Sequence, residues 1–426
     1  MSSAFPSSCS AVSRRIVPLL WLAGSLWGGG CTVRDPVALL TSAPDGGPGP
    51  VSTPDSGPST SEDPPDEHEA FCASTGPLML VSDGVTDEKV CTGQLAERAF
   101  RHALCSCDRL AFSAALSTDA FRGSLGKYTP GGQGGGVATN GGLAANDTVK
   151  VGGELSAGGG DGIRLGRSLT VQGVLYSGGP LTGDVTAEVT GDAWVRGDVG
   201  LASLKVDGKL AVPEGRLMSG DVQATQVSRE PVASLAPCAC DAGSLLDVPG
   251  LIANHATRNH NAAIGLDPDS LRGFTGERSL ELPCGRFYLS GIEGEGRLDL
   301  VVRERTALFV RDSIVIGERL SIEVVPPGEL DLFIGADLTV AGAFALGSTD
   351  APARTRVYVA GHGTLGISAG SVVAGNLYAP DATLNLSGNA EVFGSLFVRH
   401  LEASGTLAVH YDADVRELAS ACGSGK

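Results

Sequence analysis

Aromatic side chains are scarce in this sequence. Phe, Tyr and Trp together make 5% of 426 residues, while glycine alone accounts for 61. Large rings therefore cannot fill a thick core; many tight turns around a thin core of small apolar side chains fit better. Positive charge is also in short supply, with 31 Lys and Arg against 48 Asp and Glu and a net charge of −17. Nucleic acid is excluded as a natural partner, because phosphate binding needs a clustered positive surface. Beyond the N-terminus no apolar run approaches the roughly 18 residues that a membrane-spanning helix requires. No HExxH, GxSxG, P-loop or strand-linked GxGxxG appears, so the commonest catalytic and nucleotide-binding signatures are missing, and no cofactor is expected. The glycines follow no strict Gly-X-Y register, which excludes collagen. A hydrophobic fraction of 42% argues against wholesale disorder.

What is present is repetition. Gly375-Asn376-Leu377-Tyr378-Ala379 returns as Gly394-Ser395-Leu396-Phe397-Val398, nineteen residues on. Its centre recurs upstream as Leu308-Phe309-Val310, Leu332-Phe333-Ile334 and Val357-Tyr358-Val359, so that the five aromatics step by 24, 25, 20 and 19 residues. Nearer the N-terminus, Val151-Gly152-Gly153, Val171-Gln172-Gly173, Val189-Thr190-Gly191 and Val206-Asp207-Gly208 place their last glycines 20, 18 and 17 apart. Period-two alternation marks strands with one buried face. A short strand repeated at this period is the signature of a solenoid, whose coils bury their apolar side chains only by stacking. An antiparallel sandwich with glycine turns is the alternative. Glycine at each strand end is expected to supply positive φ at the corners, with two short strands in each coil. In each aromatic triad the flanking aliphatics are expected to face inward and the ring outward, packed beneath flanking chain.

The fold expected is mainly β: a right-handed parallel β-helix or solenoid in two blocks, residues 131–232 and 291–412, with a tail at 413–426. A cysteine-bearing segment, 71–130, carries Leu95, Ala96, Ala99, Phe100, Ala103 and Leu104 at helical spacing and reads as a helical cap over the terminal coil. Residues 233–290 read as a cysteine-containing insert with a short helix in Leu245–Ala256. Within that insert His255, His260, Asn261 and Asp267 form the richest polar cluster. Metal ligation or sugar binding is one reading, but H-x4-H is not the H-x3-H zinc spacing, and turn chemistry by Asn and Asp-Pro is the simpler one.

The N-terminus carries an address. Arg14 and Arg15 precede a twelve-residue apolar run, Ile16 to Trp27, and then Gly28-Gly29-Gly30-Cys31. A short apolar run closed by small residues and a cysteine resembles the bacterial lipobox, although Gly28 stands where leucine is commonest. The resemblance implies a signal peptide over 1–30, lipid on Cys31 and, with Thr32 rather than Asp next, an outer-membrane protein on the periplasmic or outer surface. Residues 31–70, rich in Pro, Ser, Gly and acids, read as a disordered tether, with His68 at its acidic end. Eight further cysteines follow: Cys72, Cys91, Cys105, Cys107, Cys238, Cys240, Cys284 and Cys422. An even number in an exported chain suggests disulfides of open connectivity. The C-x-C pairs also permit a four-cysteine zinc site, but structural zinc sites use C-x2-C and exported thiols are oxidised.

The C-terminal phrases Gly375-Asn376-Leu377-Tyr378-Ala379-Pro380, Ser387-Gly388-Asn389 and His410-Tyr411-Asp412 are similar to those of an uncharacterised family of exported bacterial proteins and lipoproteins. That resemblance implies a surface-exposed β-helical domain of unknown activity. The coil length is similar, at the level of fold alone, to that of the bactofilins, which polymerise end to end. The function expected is a non-enzymatic envelope lipoprotein acting as surface scaffold, adhesin or assembly component. Its partners would be the membrane through lipid, polysaccharide or envelope proteins, and other copies through the solenoid ends. A β-helix polysaccharide lyase or hydrolase and a filament former are the alternatives. For the enzyme, Asp299, Arg303, Glu304, Arg305, Arg311 and Asp312 are the available charged side chains, and they flank the strands irregularly.

Overall fold

The computed structural model describes residues 67–73, 78–82, 87–368 and 371–418. Cys31, Cys422 and most of the expected tether lie outside the described residues. Within them the chain is a β-solenoid of about 14 turns. Each turn is a triangle of three strands. One turn runs through Arg297–Val302 on face A, Arg305–Val310 on face B and Ile314–Ile316 on face C, then climbs to Arg319–Val324 on face A again. Among the described residues the pairings between successive turns are parallel, and most hold register, as in Leu308 opposite Leu332 opposite Val357, with shifts at Gly183–Thr186 and Ala379–Thr383. The sandwich alternative is thereby excluded. Three strands per turn, rather than the two expected, come from third strands of only three residues, such as Leu143–Ala145 and Ile163–Leu165. Runs that short carry too little alternation to be counted by eye.

The two blocks are one stack, but not in chain order. The second block's last turns, on strands Ala390–Ala403 and Leu407–Asp412, lie directly on a turn made by Leu104–Ser106, Leu110–Phe112 and Leu116–Phe121. Those three strands pair on their other side with 137–139, 143–145 and 149–151, where the first block begins. The solenoid winding therefore starts in the middle of the rod at Leu104–Ser106, builds one half to Met218–Ser228, returns, and builds the other half from its far end back to the starting point. This corrects the expected cap at 71–130. Residues 104–121 are an interior coil, because their alternating apolar side chains, Leu104, Leu110, Phe112 and Leu116, complete the core between the blocks. Among the described residues there, helix is confined to α1 (Glu67–Cys72), α2 (Thr92–Ala99) and a 3-10 turn at Gly123–Leu125.

The insert is corrected too. Residues 229–271 are a strap that runs back along face B, carrying α3 (Val248–His255) and α4 (Asn261–Ile264). Strands Arg272–Phe274, Glu277–Leu282 and Gly285–Leu289 already belong to the solenoid's first turn. The strap covers the aromatic column. Tyr288, Phe309, Phe333, Tyr358, Tyr378 and Phe397 occupy successive register positions, and Cys105, Ala138, Ser156, Tyr176 and Trp194 continue the same line. Phe309 and Phe333 stack at 5.1 Å, Phe333 and Tyr358 at 4.7 Å, and the His255 ring of α3 lies on Phe309 at 4.1 Å, nearly parallel. The Tyr378 hydroxyl accepts from Leu246 N at 3.0 Å and the Tyr176 hydroxyl donates to Ala233 O at 2.6 Å. The rings thus face the strap, and the flanking aliphatics, buried on the opposite side of the strand, face the solenoid interior.

Disulfides rivet the strap and the N-terminal segment to the rod. Cys105 pairs with Cys238 and Cys107 with Cys240, each across 133 residues, and Cys72 pairs with Cys284 across 212. Cys91 is disulfide-bonded as well. The C-x-C pairs are therefore partners of one another, which removes the zinc reading for them. Gly173 and Gly191 do not have positive φ. Their constraint is close approach: a Cβ on Gly173 would sit 2.8 Å from the Gly153 carbonyl oxygen, and one on Gly191 would sit 2.6 Å from that of Gly173. The corner glycines form a ladder because each coil's backbone rests on the last.

Two outcomes follow. Phe333→Ala removes the middle of the ring stack and should lower stability by about 3–5 kcal/mol, whereas Gly173→Ala should cost about 1–3 kcal/mol through overpacking, both read from urea unfolding. Removing the Cys105–Cys238 bridge by paired serines should cost roughly 2–4 kcal/mol, with non-reducing peptide maps showing the Cys107–Cys240 bridge retained.

Candidate functional site

Polar side chains from distant parts of the chain meet where the two blocks join. On face A, His410 of strand Leu407–Asp412 lies between Glu391 and Asp119. Its Nδ1 is 2.7 Å from Asp119 Oδ1 and its Nε2 is 3.0 Å from Glu391 Oε1. Tyr128, from the loop that joins the interior coil to the first block, donates its hydroxyl to Asp119 Oδ2 at 2.7 Å and lays its ring on His410 at 4.2 Å. Burial pulls the His410 imidazole down, but hydrogen bonds and charge from Asp119 and Glu391 outweigh it and raise the group above its ordinary 6.5. Burial pushes Asp119 up, while the hydrogen bonds from His410, Gly131 N and Tyr128 hold it below 3.8. Tyr128 is raised, by burial first and then by Asp119. Both imidazole nitrogens and both Asp119 oxygens are occupied, so the group is a clasp on the loop.

The rest of the His410-Tyr411-Asp412 string does the same kind of work. The Tyr411 hydroxyl donates to Phe100 O at 2.7 Å, at the end of α2. The buried Asp412 carboxylate accepts from Gly123 N at 3.0 Å, Ala353 N at 3.1 Å and Asp414 N at 3.3 Å, which ties three separate turns together. Burial raises its pKa, and the amide hydrogen bonds oppose that rise. Nearby, beneath the N-terminal segment, the buried Arg356 guanidinium grips Asp331 with Nε–Oδ1 at 2.6 Å and Nη2–Oδ2 at 2.9 Å, and donates to Ala353 O at 2.8 Å.

Two open grooves flank this junction. One, on face C, has a volume of about 440 Å³; Ala111 and Ala144 form its floor, Asn385 and Glu402 one wall, Arg109 and Arg164 the other. The floor is low because two successive coils place alanine outward at the same register position. Glu402 and Arg164 are three coils apart, roughly 14 Å at 4.8 Å per coil, too far to pair. The other groove follows the glycine ladder at the A–B corner and has a volume of about 860 Å³. His102 and Glu154 pair across it at 3.3 Å, with Arg101 and Arg416 on its rim. Burial lowers the His102 pKa, and Glu154 recovers part of the shift. Each groove holds one carboxylate side chain.

The expected polar cluster is not at this junction. His255, His260, Asn261 and Asp267 fasten the strap to the first turns of the rod. His255 Nδ1 lies 2.8 Å from Leu251 O beneath its stack on Phe309. His260 Nδ1 accepts from Arg286 N at 3.0 Å, and Asn261 brackets Tyr288, giving Nδ2 to its carbonyl at 2.7 Å and taking its N–H at 2.9 Å. Asp267 accepts from Asp269 N at 2.9 Å, an Asx turn. Turn and strand-end chemistry is thus what these residues perform, and among the described residues no group of three or more His, Cys, Asp or Glu side chains is placed to hold a metal ion. His68 packs edge-on against His260. The charged side chains weighed for an enzyme disperse. Asp299 is on face A; Arg303 pairs with Glu281, Glu304 accepts from Cys284 N, Arg305 lies over the Phe71 ring, and Arg311 and Asp312 pair at another corner. The partners of His410 escaped sequence reading, since Asp119 lies 291 residues away. The only signal was the His-Tyr-Asp string itself.

Among known proteins, residues 247–418 match a domain of unknown function, DUF7305. That span covers α3, the rest of the strap and the whole second block, ending just after Asp412. No curated protein and no solved structure matches the chain.

The clasp makes a pH prediction. His410, with its pKa raised in the folded state, stabilises fully below 6.5 and loses its contribution as pH rises through the raised value. Asp119, depressed, contributes fully above 3.8 and loses it as pH falls through the lowered value. Hydrogen exchange of residues 122–136, corrected for its intrinsic pH dependence, should therefore be slowest between these limits and speed up on either side. His410→Gln should remove the alkaline limb and leave the acid one.

Proposed function

We propose that this chain is a non-enzymatic scaffold of the cell envelope, a lipid-anchored rod that presents its solenoid faces to polysaccharide or to other envelope proteins. The observation that carries the reading is the use of the buried polar groups, those of the block junction and the Asp331–Arg356 pair within the second block, as joints between chain segments. His410, Asp119, Asp412, Asp331 and Arg356 are all engaged in joining chain segments, and neither groove supplies the pair of carboxylates that glycoside hydrolysis uses. The rod has the properties a scaffold needs. Its roughly 14 coils extend about 65 Å at 4.8 Å per coil, and parallel ladders on three faces resist bending. The face C groove, with an alanine floor, amide and carboxylate on one wall and guanidinium on the other, suits an extended polar chain such as a glycan or peptide.

Export is supported by chemistry. Disulfides that join segments 133 and 212 residues apart persist in an oxidising compartment. Together with the lipobox-like Gly28-Gly29-Gly30-Cys31, they favour an outer-membrane lipoprotein. In the sequence, 35 residues lie between Cys31 and Glu67, where α1 begins.

Metabolic labelling with an alkyne fatty acid checks the anchor. The native chain should incorporate label and sediment with membranes, and Cys31→Ser should do neither. Incubation with acidic polysaccharides checks the chemistry, with no new reducing ends or unsaturated products expected. Turnover that disappears on Glu154→Gln or Glu402→Gln would replace this reading with that of a polysaccharide-active enzyme.

A further inference from the structure

The two ends of the rod are finished differently. At the first turn, the outer edge of strand Gly285–Leu289 is closed by the strap. Arg286 O accepts from His260 N at 2.7 Å, Asn261 takes both the N–H and the carbonyl of Tyr288, and Ser290 N donates to Pro268 O at 2.9 Å. Backbone groups pointing off the end of that face are thereby satisfied. On the adjoining face the edge strand Glu277–Leu282 carries Glu277, Arg278 and Glu281, charges of the kind that discourage strand addition.

The opposite end has neither protection. Strand Met218–Ser228 winds over all three faces and, among the described residues, pairs with strand Val199–Ala211 and with no other strand. Asp221 is its single ionisable residue, and it contains no proline or lysine. The core is open there in cross-section. Val199, Leu204, Val206 and Leu210 of the preceding turn are at most 2% exposed, whereas Met218, Val222 and Ala224 are only partly covered and Val227 is 45% exposed. A parallel edge of this kind is a template for another coil.

We infer that Met218–Ser228 is a self-association edge whose occupant is the same strand of a second copy. The chain already stacks coils that no local connection joins, at the interface between Leu407–Asp412 and Leu116–Phe121, so coil-on-coil addition without a linker is a contact this sequence makes. The far end of a second copy is a poor occupant, because its face B edge is closed and its face A edge is charged. Two copies of the open end fit each other through a two-fold axis. With the axis at Gln223, the middle of the strand, Val222 lies opposite Ala224 and Asp221 opposite Thr225, so neither like charges nor a charge and an apolar side chain meet. One adhesive end per chain closes at two copies, and growth into a filament would need a second complementary surface.

Sedimentation equilibrium on the full chain carrying Cys31→Ser tests this with the lipid removed. A species of twice the monomer mass is expected. Gln223→Lys places like charges across the axis and should raise the dimer dissociation constant by about three- to tenfold, as should Gln223→Glu. An equimolar mixture of the two variants should restore dimerisation, a result that loss of folding cannot produce. A monomer at all concentrations, a dimer indifferent to both substitutions, or assembly that continues past two copies would each overturn the proposal. Electron micrographs of the same samples identify the last of these outcomes.

Discussion

In-register stacking of one coil on the next is the contact on which every other feature depends. A three-residue strand cannot bury its apolar face alone; it becomes stable only between the strands above and below. Once that register is imposed, equivalent positions line up along the rod, and stretches of successive coils repeat one chemical character along a line. Inward lines are aliphatic. The corner line is glycine, because each backbone rests against its neighbour. One outward line on face B is aromatic, and the parallel line two residues earlier reads Ala307, Asp331, Arg356, Asn376 and Ser395.

Those outward lines explain why the rod has a second layer. Aromatic rings and a buried ion pair cannot both be left facing water without loss, and the chain covers them with its own connecting segments. The strap shields the rings, and Phe71 and His102 of the N-terminal segment cover Arg305 and Ser395. The disulfides fasten these covers at the points where strap and N-terminal segment cross the rod. Closing loops of 133 and 212 residues restricts the unfolded chain strongly, which suits a fold whose contacts are mostly distant in sequence.

The same topology shapes the functional reading. Because the winding begins at the middle of the rod, its junction brings its first coil against its last. The His410 clasp, the Asp412 knot and both grooves lie beside it. These polar groups hold chain segments together at the junction.

Periodicity marked the chain as a solenoid and its aromatic triads as alternating strands, and the even cysteine count pointed to disulfides, which Cys72, Cys105, Cys107, Cys238, Cys240 and Cys284 form. Each is a local property, carried by alternation, spacing or composition. The stretch Gly375 to Asp412 was legible as repetition, and Asp267 as turn chemistry, whereas the stack of His255 on Phe309 and the bonds of His260 and Asn261 to strand Gly285–Leu289 were not. Tertiary structure decided the rest. It placed residues 104–121 inside the rod instead of over its end, because a coil's neighbours along the axis need not be its neighbours in the chain, and side-chain alternation carries no record of which coil comes next. For the same reason it alone could pair Cys105 with Cys238, bring Asp119 to His410, and leave one end of the rod closed by the strap and the other open.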